Sequence, residues 1–181
     1  MDMVYGGAKY NATGLSHHGV GTLVDSLCTI RYLVYDAKIC TGKELLDAIN
    51  ANWEGYEDLR LQAENCPHRF GNGDTVADEL ASWVSDMFIR RVKHMSGPRG
   101  KYRAGLYSAG GNLATGRGTW ATPNGRRAGE AISHGANPNP GFRRDGAATA
   151  QSNGIASVQC GYGNTAPVQL ELDPGMARGE E

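Results

Sequence analysis

Apolar and polar positions follow two different rhythms along this chain. In residues 19–37, Leu23, Leu27, Ile30 and Val34 recur at helical spacing and make one apolar stripe, which predicts an amphipathic helix. Thr41 and Glu44 form a T-x-x-E capping box ahead of Leu45, Leu46, Ile49 and Trp53, predicting a second helix. A third runs through residues 56–65 and ends at Cys66-Pro67, because the residue before a proline is pushed out of the helical region. The turn Gly71-Asn72-Gly73-Asp74 leads into the longest helix, with Asp74 or Thr75 as its cap. There Val76, Leu80, Val84, Met87 and Phe88 share one face, while Asp78, Glu79, Ser82, Asp86 and Arg90 share the other.

The rhythm changes at Ser96-Gly97-Pro98. Residues 101–108 read as a short strand, and residues 166–172 as another, with Val168, Leu170 and Leu172 alternating against Gln169 and Glu171. Between them the sequence predicts loops. Of the 26 glycines, 15 fall from Gly97 to Gly163, well above ordinary globular usage. The region is too rich in Arg, Trp and Asn for a Gly/Ser linker, and no internal repeat is visible. Such a segment cannot supply its own core and must pack against something else. The fold class is therefore α/β, with a helix-rich first half and a Gly-rich second half holding few short strands.

Composition narrows the picture. At 181 residues the chain suits one domain, and a formal charge of −1 gives no global reason to expect nucleic acid or a membrane surface. No apolar run approaches a membrane span, and the N-terminus lacks a signal pattern, so a cytoplasmic location is expected. Cys28, Cys40, Cys66 and Cys160 are scattered without paired spacing, which favours reduced thiols over disulfides. His17-His18 predicts no metal site, because adjacent histidines point apart and no second ligand pair follows. The glycines of residues 105–118 lack both the dinucleotide fingerprint and a Walker lysine. Cys160-Gly161 suggests redox or radical chemistry, but a tight turn before a strand is the plainer reading. Arg99, Lys101, Arg103, Arg117, Arg126, Arg127, Arg143 and Arg144 make a locally basic stretch. Without lysine clusters or regularly spaced aromatics, these arginines are better suited to tying loops to carboxylates and backbone carbonyls than to a phosphate backbone.

Several motifs taken in order carry a resemblance. Gly6-Gly-Ala-Lys-Tyr-Asn11, the run from Gly19 to Asp25-Ser26-Leu27, His68-Arg-Phe-Gly-Asn72 and Pro98-Arg-Gly-Lys-Tyr-Arg-Ala-Gly-Leu-Tyr107 are the first four. The irregular stretch of residues 121–150, beginning Ala-Thr-Pro-Asn-Gly-Arg, and residues 164–174 complete the series. Together they resemble the glycyl radical enzyme family, which includes pyruvate formate-lyase, glycerol and choline lyases and arylacetate decarboxylases. The match runs from Gly6 to about Pro174. The departures are Asn124 for the usual aspartate of T-P-D-G-R, and Ala131 and Ala148 for prolines. Gly135-Ala-Asn-Pro138 is closer to the formate-lyase branch.

The resemblance implies that residues 1–181 are part of a ten-stranded β/α barrel domain, with no second domain. The first-half helices would form an outer layer directed at strands near Ala8 and Arg103. It implies a fragment of a radical lyase, dehydratase or decarboxylase, inactive alone. A formate acetyltransferase-like fragment, and a non-catalytic scaffold complementing a split partner, are the alternatives. The family's catalytic cysteine and radical glycine would lie before Met1 and after Glu181, so this chain is expected to hold no catalytic residue, metal or cofactor. The parent enzyme's glycyl radical would be installed by a radical S-adenosylmethionine activase. The implied partners are the remainder of the enzyme, that activase, a small-molecule substrate, and a second full enzyme in a homodimer. Also by resemblance, Tyr107, the Asn112-Leu113-Ala114 turn, Asn164 and Gln169 approach the substrate pocket.

Overall fold

The computed structural model describes residues 13–98, 100–106, 110–139, 147–158 and 162. Strand β1 (Thr13–His17) is followed by helix α1 (Val20–Ile30), which continues into a wider π-helical turn (Arg31–Asp36). Helices α2 (Gly42–Asn50), α3 (Glu57–Glu64) and α4 (Thr75–Lys93) come next. Then follow β2 (Ser96–Gly97), β3 (Gly100–Leu106), α5 (Asn112–Arg117) and α6 (Ala147–Val158). β1 and β3 pair in parallel from Thr13 opposite Tyr102 to His17 opposite Leu106. β2 folds back antiparallel on β3, giving the order β1-β3-β2.

Local chemistry explains the first-half helices. Thr41 Oγ1 accepts from the Glu44 amide at 3.2 Å, and Glu44 Oε2 accepts from the Thr41 amide at 2.7 Å, so the capping box is complete. Asp74 caps α4 by accepting from the Ala77 amide at 3.0 Å, and the His68 ring sits 3.0 Å from its other oxygen. Burial works to raise the Asp74 pKa, but the Ala77 amide and His68 overcome it, and the carboxyl is held below its ordinary 3.8. Its contribution to stability is thus present above pH 3.8 and is lost as pH falls through the lower folded value. Asp74→Ala should cost about 1–2 kcal/mol at pH 7 and progressively less as pH falls below 3.8, measured by urea unfolding across that range.

The buried faces differ from the predicted stripes. Leu23 is 38% exposed, whereas Val20, Val24, Cys28 and Leu33 are sealed. Helix α1 is buried nearly all round, its polar Thr22, Asp25, Ser26 and Thr29 included, so periodicity alone picked its longer side chains rather than the face that meets α4. On α4, Ala77, Ala81, Val84, Ser85 and Val92 are buried, while Met87 is 51% exposed. Small residues let α1, β3 and α6 approach the helix closely. Trp53, placed with α2 in the sequence pattern, lies beyond its end in a left-handed turn (φ 67°) and is fully buried.

Two cores result. One gathers Val20, Val24, Cys28, Cys66, Phe70, Ala77, Ala81, Leu106, Ala136 and Val158; the other gathers Leu33, Leu45, Ala48, Trp53, Ala63 and Ala121. The Gly-rich half does pack against something else, namely the first half of its own chain. Trp53 Nε1 donates to the Arg126 carbonyl at 3.3 Å, the Ala128 amide to Asn52 Oδ1 at 2.7 Å, and Trp120 Nε1 to the Ile49 carbonyl at 3.0 Å. The loops expected beyond residue 108 contain two helices, α5 and α6. Neither has a long apolar stripe, and α6 is specified by burying Ala150, Gln151 and Val158 rather than by propensity. The predicted strands near Ala8 and at residues 166–172 lie outside the described residues. Among the described residues no helix is long and apolar enough to cross a membrane.

Candidate functional site at the carboxyl end of the parallel strands

Paired residues of a parallel ladder point to the same face. His17 and its partner Leu106 turn toward the helices: the His17 ring lies 4.7 Å from that of Phe88 on α4, and Leu106 is part of the first core. The intervening residues Gly14, Ser16 and Arg103 are exposed on the opposite face. Parallel sheets ordinarily have both faces covered; among the described residues this one is covered on one side, and on the other Gly14, Ser16 and Arg103 are open while Gly105 is buried. Ligands in α/β folds gather beyond the carboxyl ends of the strands, which here is the edge beyond His17 and Leu106.

Two histidines stand at that edge. His17 Nδ1 lies 3.1 Å from the Tyr162 hydroxyl, and burial, then the neighbouring His18, lowers its pKa. His18 is lowered by burial and then by His134. Both rings are therefore neutral at pH 7 and can exchange hydrogen bonds without adding charge. They engage different neighbours, and no metal-holding cluster of His, Cys, Asp or Glu occurs among the described residues.

Of the sequence-derived pocket residues, the structure describes Asn112 and Leu113. Asn112 opens α5, and its carbonyl accepts from the Ile132 amide at 3.4 Å. Asn112-Leu113-Ala114 is thus the first turn of a helix rather than a loop turn, and Leu113 is 59% exposed. Tyr107, Asn164 and Gln169 lie outside the described residues. Cys160, Arg99, Arg143 and Arg144 do as well.

Behind the edge lies a polar junction that sequence reasoning missed. Asp25 on α1 is fully buried. One carboxyl oxygen accepts from the Phe70 amide at 2.8 Å; the other accepts from Asn139 Nδ2 at 2.6 Å and faces Arg69 Nη1 at 3.4 Å. Thr22 Oγ1 donates to Asn139 Oδ1 at 2.7 Å and accepts from the Ser133 amide at 2.9 Å. The Thr22 amide donates to Ser133 Oγ at 3.0 Å. Burial pushes the Asp25 carboxyl up, and Arg69, the Phe70 amide and Asn139 hold it back. The junction ties α1, the 66–74 turn and residues 133–139 into one unit that supports the edge. Its signal in the sequence was a polar residue inside each of three otherwise apolar or glycine-rich motifs.

Arg126 is a second hub. Its guanidinium donates to the carbonyls of Arg127 at 2.8 Å, Glu130 at 2.7 Å and Thr119 at 3.1 Å, and also to Trp120. For this arginine the loop-tying role read from the sequence is what the structure shows. Burial, then Asp25, pushes the Cys28 thiol up to about 12, and burial also raises Cys66 and Cys40. Cys28, Cys40 and Cys66 are free thiols. Because Cys40 is the one of these three that is not sealed, it should be labelled before Cys28 and Cys66 by a thiol reagent at pH 8, with those two labelled only on unfolding. Mass mapping of labelled peptides checks the order.

A cavity of about 770 Å³ lies on the helix side, between α1 and α4, and meets the strands at His17. Its lining carries no catalytic set, so the ladder geometry is the better guide to the functional site.

Comparison with known proteins accounts for the architecture. The family model "Pyruvate formate lyase-like" matches residues 1–116. The chain is 37% identical over 139 residues to the (2S)-3-sulfopropanediol dehydratase of Klebsiella oxytoca, covering 76% of this chain and 17% of that protein. The glycerol-bound B12-independent glycerol dehydratase of Clostridium butyricum superposes with a TM-score of 0.77 at 32% identity, over 84% of this chain and 19% of that one. A glycyl radical enzyme of Archaeoglobus fulgidus superposes with a TM-score of 0.74 at 30% identity, over 86% and 19%. The chain therefore spans about a fifth of the length of these relatives.

Proposed function

Since the chain belongs to the pyruvate formate lyase-like family of glycyl radical enzymes, we propose that it builds one wall of the substrate cavity in a radical lyase, dehydratase or decarboxylase. The observation that carries this reading is the sheet with one face under helices and the other bare. In the assembled barrel the bare face, with Gly14, Ser16 and Arg103, looks into the cavity. By the family resemblance, Tyr107 joins this wall. Its ring offers a broad apolar wall with one polar tip. Asn112, Leu113, Asn164 and Gln169 complete that wall, the amides orienting a small polar substrate by hydrogen bonds in a dry site. Residues 1–181 act as a single part of that barrel domain.

A stored glycyl radical supplies hydrogen-atom abstraction through a cysteine in this family. Cys28 and Cys66 do not fit that role, being sealed in the first core, and Cys40 packs against the second. No hydrogen-transfer step runs through them. What these residues do is enclose and position. The remainder of the polypeptide and an S-adenosylmethionine-dependent activase are the partners this role requires. The dehydratase names of the relatives favour a dehydratase over a formate acetyltransferase. Gly135-Ala-Asn-Pro138, which spoke for the latter, is buried beside Ser133 and Asn139, both of which bond α1.

Incubated with an activase and S-adenosylmethionine, residues 1–181 alone should show no glycine-centred doublet in electron paramagnetic resonance. Its appearance would overturn the assignment. In the full-length protein, Tyr107→Ala should lower kcat/KM about tenfold or more while leaving the radical signal intact. Unchanged turnover and affinity would remove Tyr107 from the wall.

A further inference from the structure

Strands β1 and β3 carry no carboxylate side chain. Their charge is all of one sign: Lys101 and Arg103 alternate with Tyr102 and Ala104, which puts both cations on the open face of the sheet. Both are exposed. Arg60 and Arg69 pair with Glu64 and Asp25, and Arg126 is engaged by backbone carbonyls. The Arg103 side chain makes no ion pair or hydrogen bond with any described residue.

The surroundings of Arg103 on that face are small. Directly opposite it in the ladder is Gly14, where an added Cβ would meet nothing within 4 Å, so the position beside the arginine is open space. Ser16, two residues along β1 on the same face, adds an exposed hydroxyl whose side chain has no hydrogen-bond partner among the described residues.

At a solvent surface a lone arginine needs no partner, but in a cavity closed to water it does. A guanidinium cannot lose its charge by giving up a proton, and an uncompensated charge taken out of water is strongly destabilising. Its planar fork matches two oxygens of a carboxylate or sulfonate. The empty place at Gly14 leaves room for such a group beside the fork, and the Ser16 hydroxyl supplies a further donor.

We propose that Arg103, helped by Ser16 and the space over Gly14, binds an anionic head group of the substrate, so that the substrate is a small carboxylate or sulfonate rather than a neutral alcohol. The proposal rests on the cavity-wall reading above. Holding the charged end at the wall fixes the position of the reacting end, which is how binding remote from the chemistry serves the reaction.

Calorimetric titration of the full-length protein, left without its radical so that nothing turns over, tests the assignment. The probes share one carbon skeleton: propylene glycol, lactate and a hydroxypropanesulfonate. At least one anion should bind about thirtyfold or more tighter than the glycol. Arg103→Gln should remove that advantage while changing glycol binding less than about threefold, and Arg103→Lys, which keeps the charge but not the fork, should retain part of it. Ser16→Trp, which fills the same face, should weaken every probe about tenfold or more. Circular dichroism confirms that each variant is folded. Failure of both anions to bind, equal binding of anion and glycol, or an anion preference that survives Arg103→Gln would each overturn the head-group assignment; a carboxylate from the rest of the polypeptide paired with Arg103 would give the second result. Binding of every probe unchanged by Ser16→Trp would instead remove the face from the cavity, and both readings would fall.

Discussion

Replacing Asp25 with alanine should destabilise the chain by about 3–5 kcal/mol, the loss typical of breaking one partner out of a buried ion pair. Arg69 would remain sealed with its charge uncompensated, and the Phe70 amide and Asn139 Nδ2 would each lose an acceptor. Domains of this size are stable by only about 5–15 kcal/mol, so the variant should lose a sizeable share of its urea resistance. The cause can be separated from the loss of hydrogen bonds. Asp25→Ala combined with Arg69→Met removes both charges and should recover part of the loss, because apolar replacements of whole buried pairs are often near neutral. A double variant no more stable than Asp25→Ala would show that the unpaired guanidinium is not what matters.

Gly71→Ala should cost a further large amount, about 2–5 kcal/mol, from two additive sources. Gly71 sits at φ +85°, a conformation an L side chain rarely adopts. A Cβ there would stand 2.2 Å from Pro138 Cγ and 2.9 Å from the Ala150 carbonyl. The turn before α4 and residues 138 and 150 must then move apart, opening the first core between α1, α4 and α6. Gly129 is the control: its φ is +84°, but nothing lies within 4 Å of the added carbon. Gly129→Ala should cost only the backbone part, about 1–2 kcal/mol. Equal shifts in melting temperature for the two variants would refute the steric account.

Legibility followed the reach of the interactions. The capping boxes and the ends of α2, α3 and α4 depend on residues within a turn of one another, and Thr41, Glu44, Cys66-Pro67 and Asp74 announced them. Which face of α1 is buried depends on what sits above it, and a helix that also buries Thr22, Asp25, Ser26 and Thr29 cannot reveal that by its apolar period. Helix α6 escaped for the same reason: Ala147–Val158 is held by Phe70, Ala136 and α4, all distant in sequence. Strand β1 followed a glycine-rich entry too short to show alternation. The motifs holding Asn112 and Tyr107 were readable as a resemblance. The Asp25 junction was not, because its members are separated by up to 114 residues and only the fold brings them together.

That separation has a kinetic side. Asp25 is translated long before Asn139, and at about 5–20 residues per second roughly 6–23 s of synthesis lie between them. Through that interval α1 and the 66–74 turn can meet, but the carboxylate's third donor and the Thr22–Ser133 bonds do not yet exist. The first core, whose Ala136 and Val158 also come late, stays open to water and to chaperones until the second half has emerged. Folding of this unit is therefore completed from its C-terminal side, and slow codons placed after Asn139 should raise its soluble yield more than the same codons placed before Gly71.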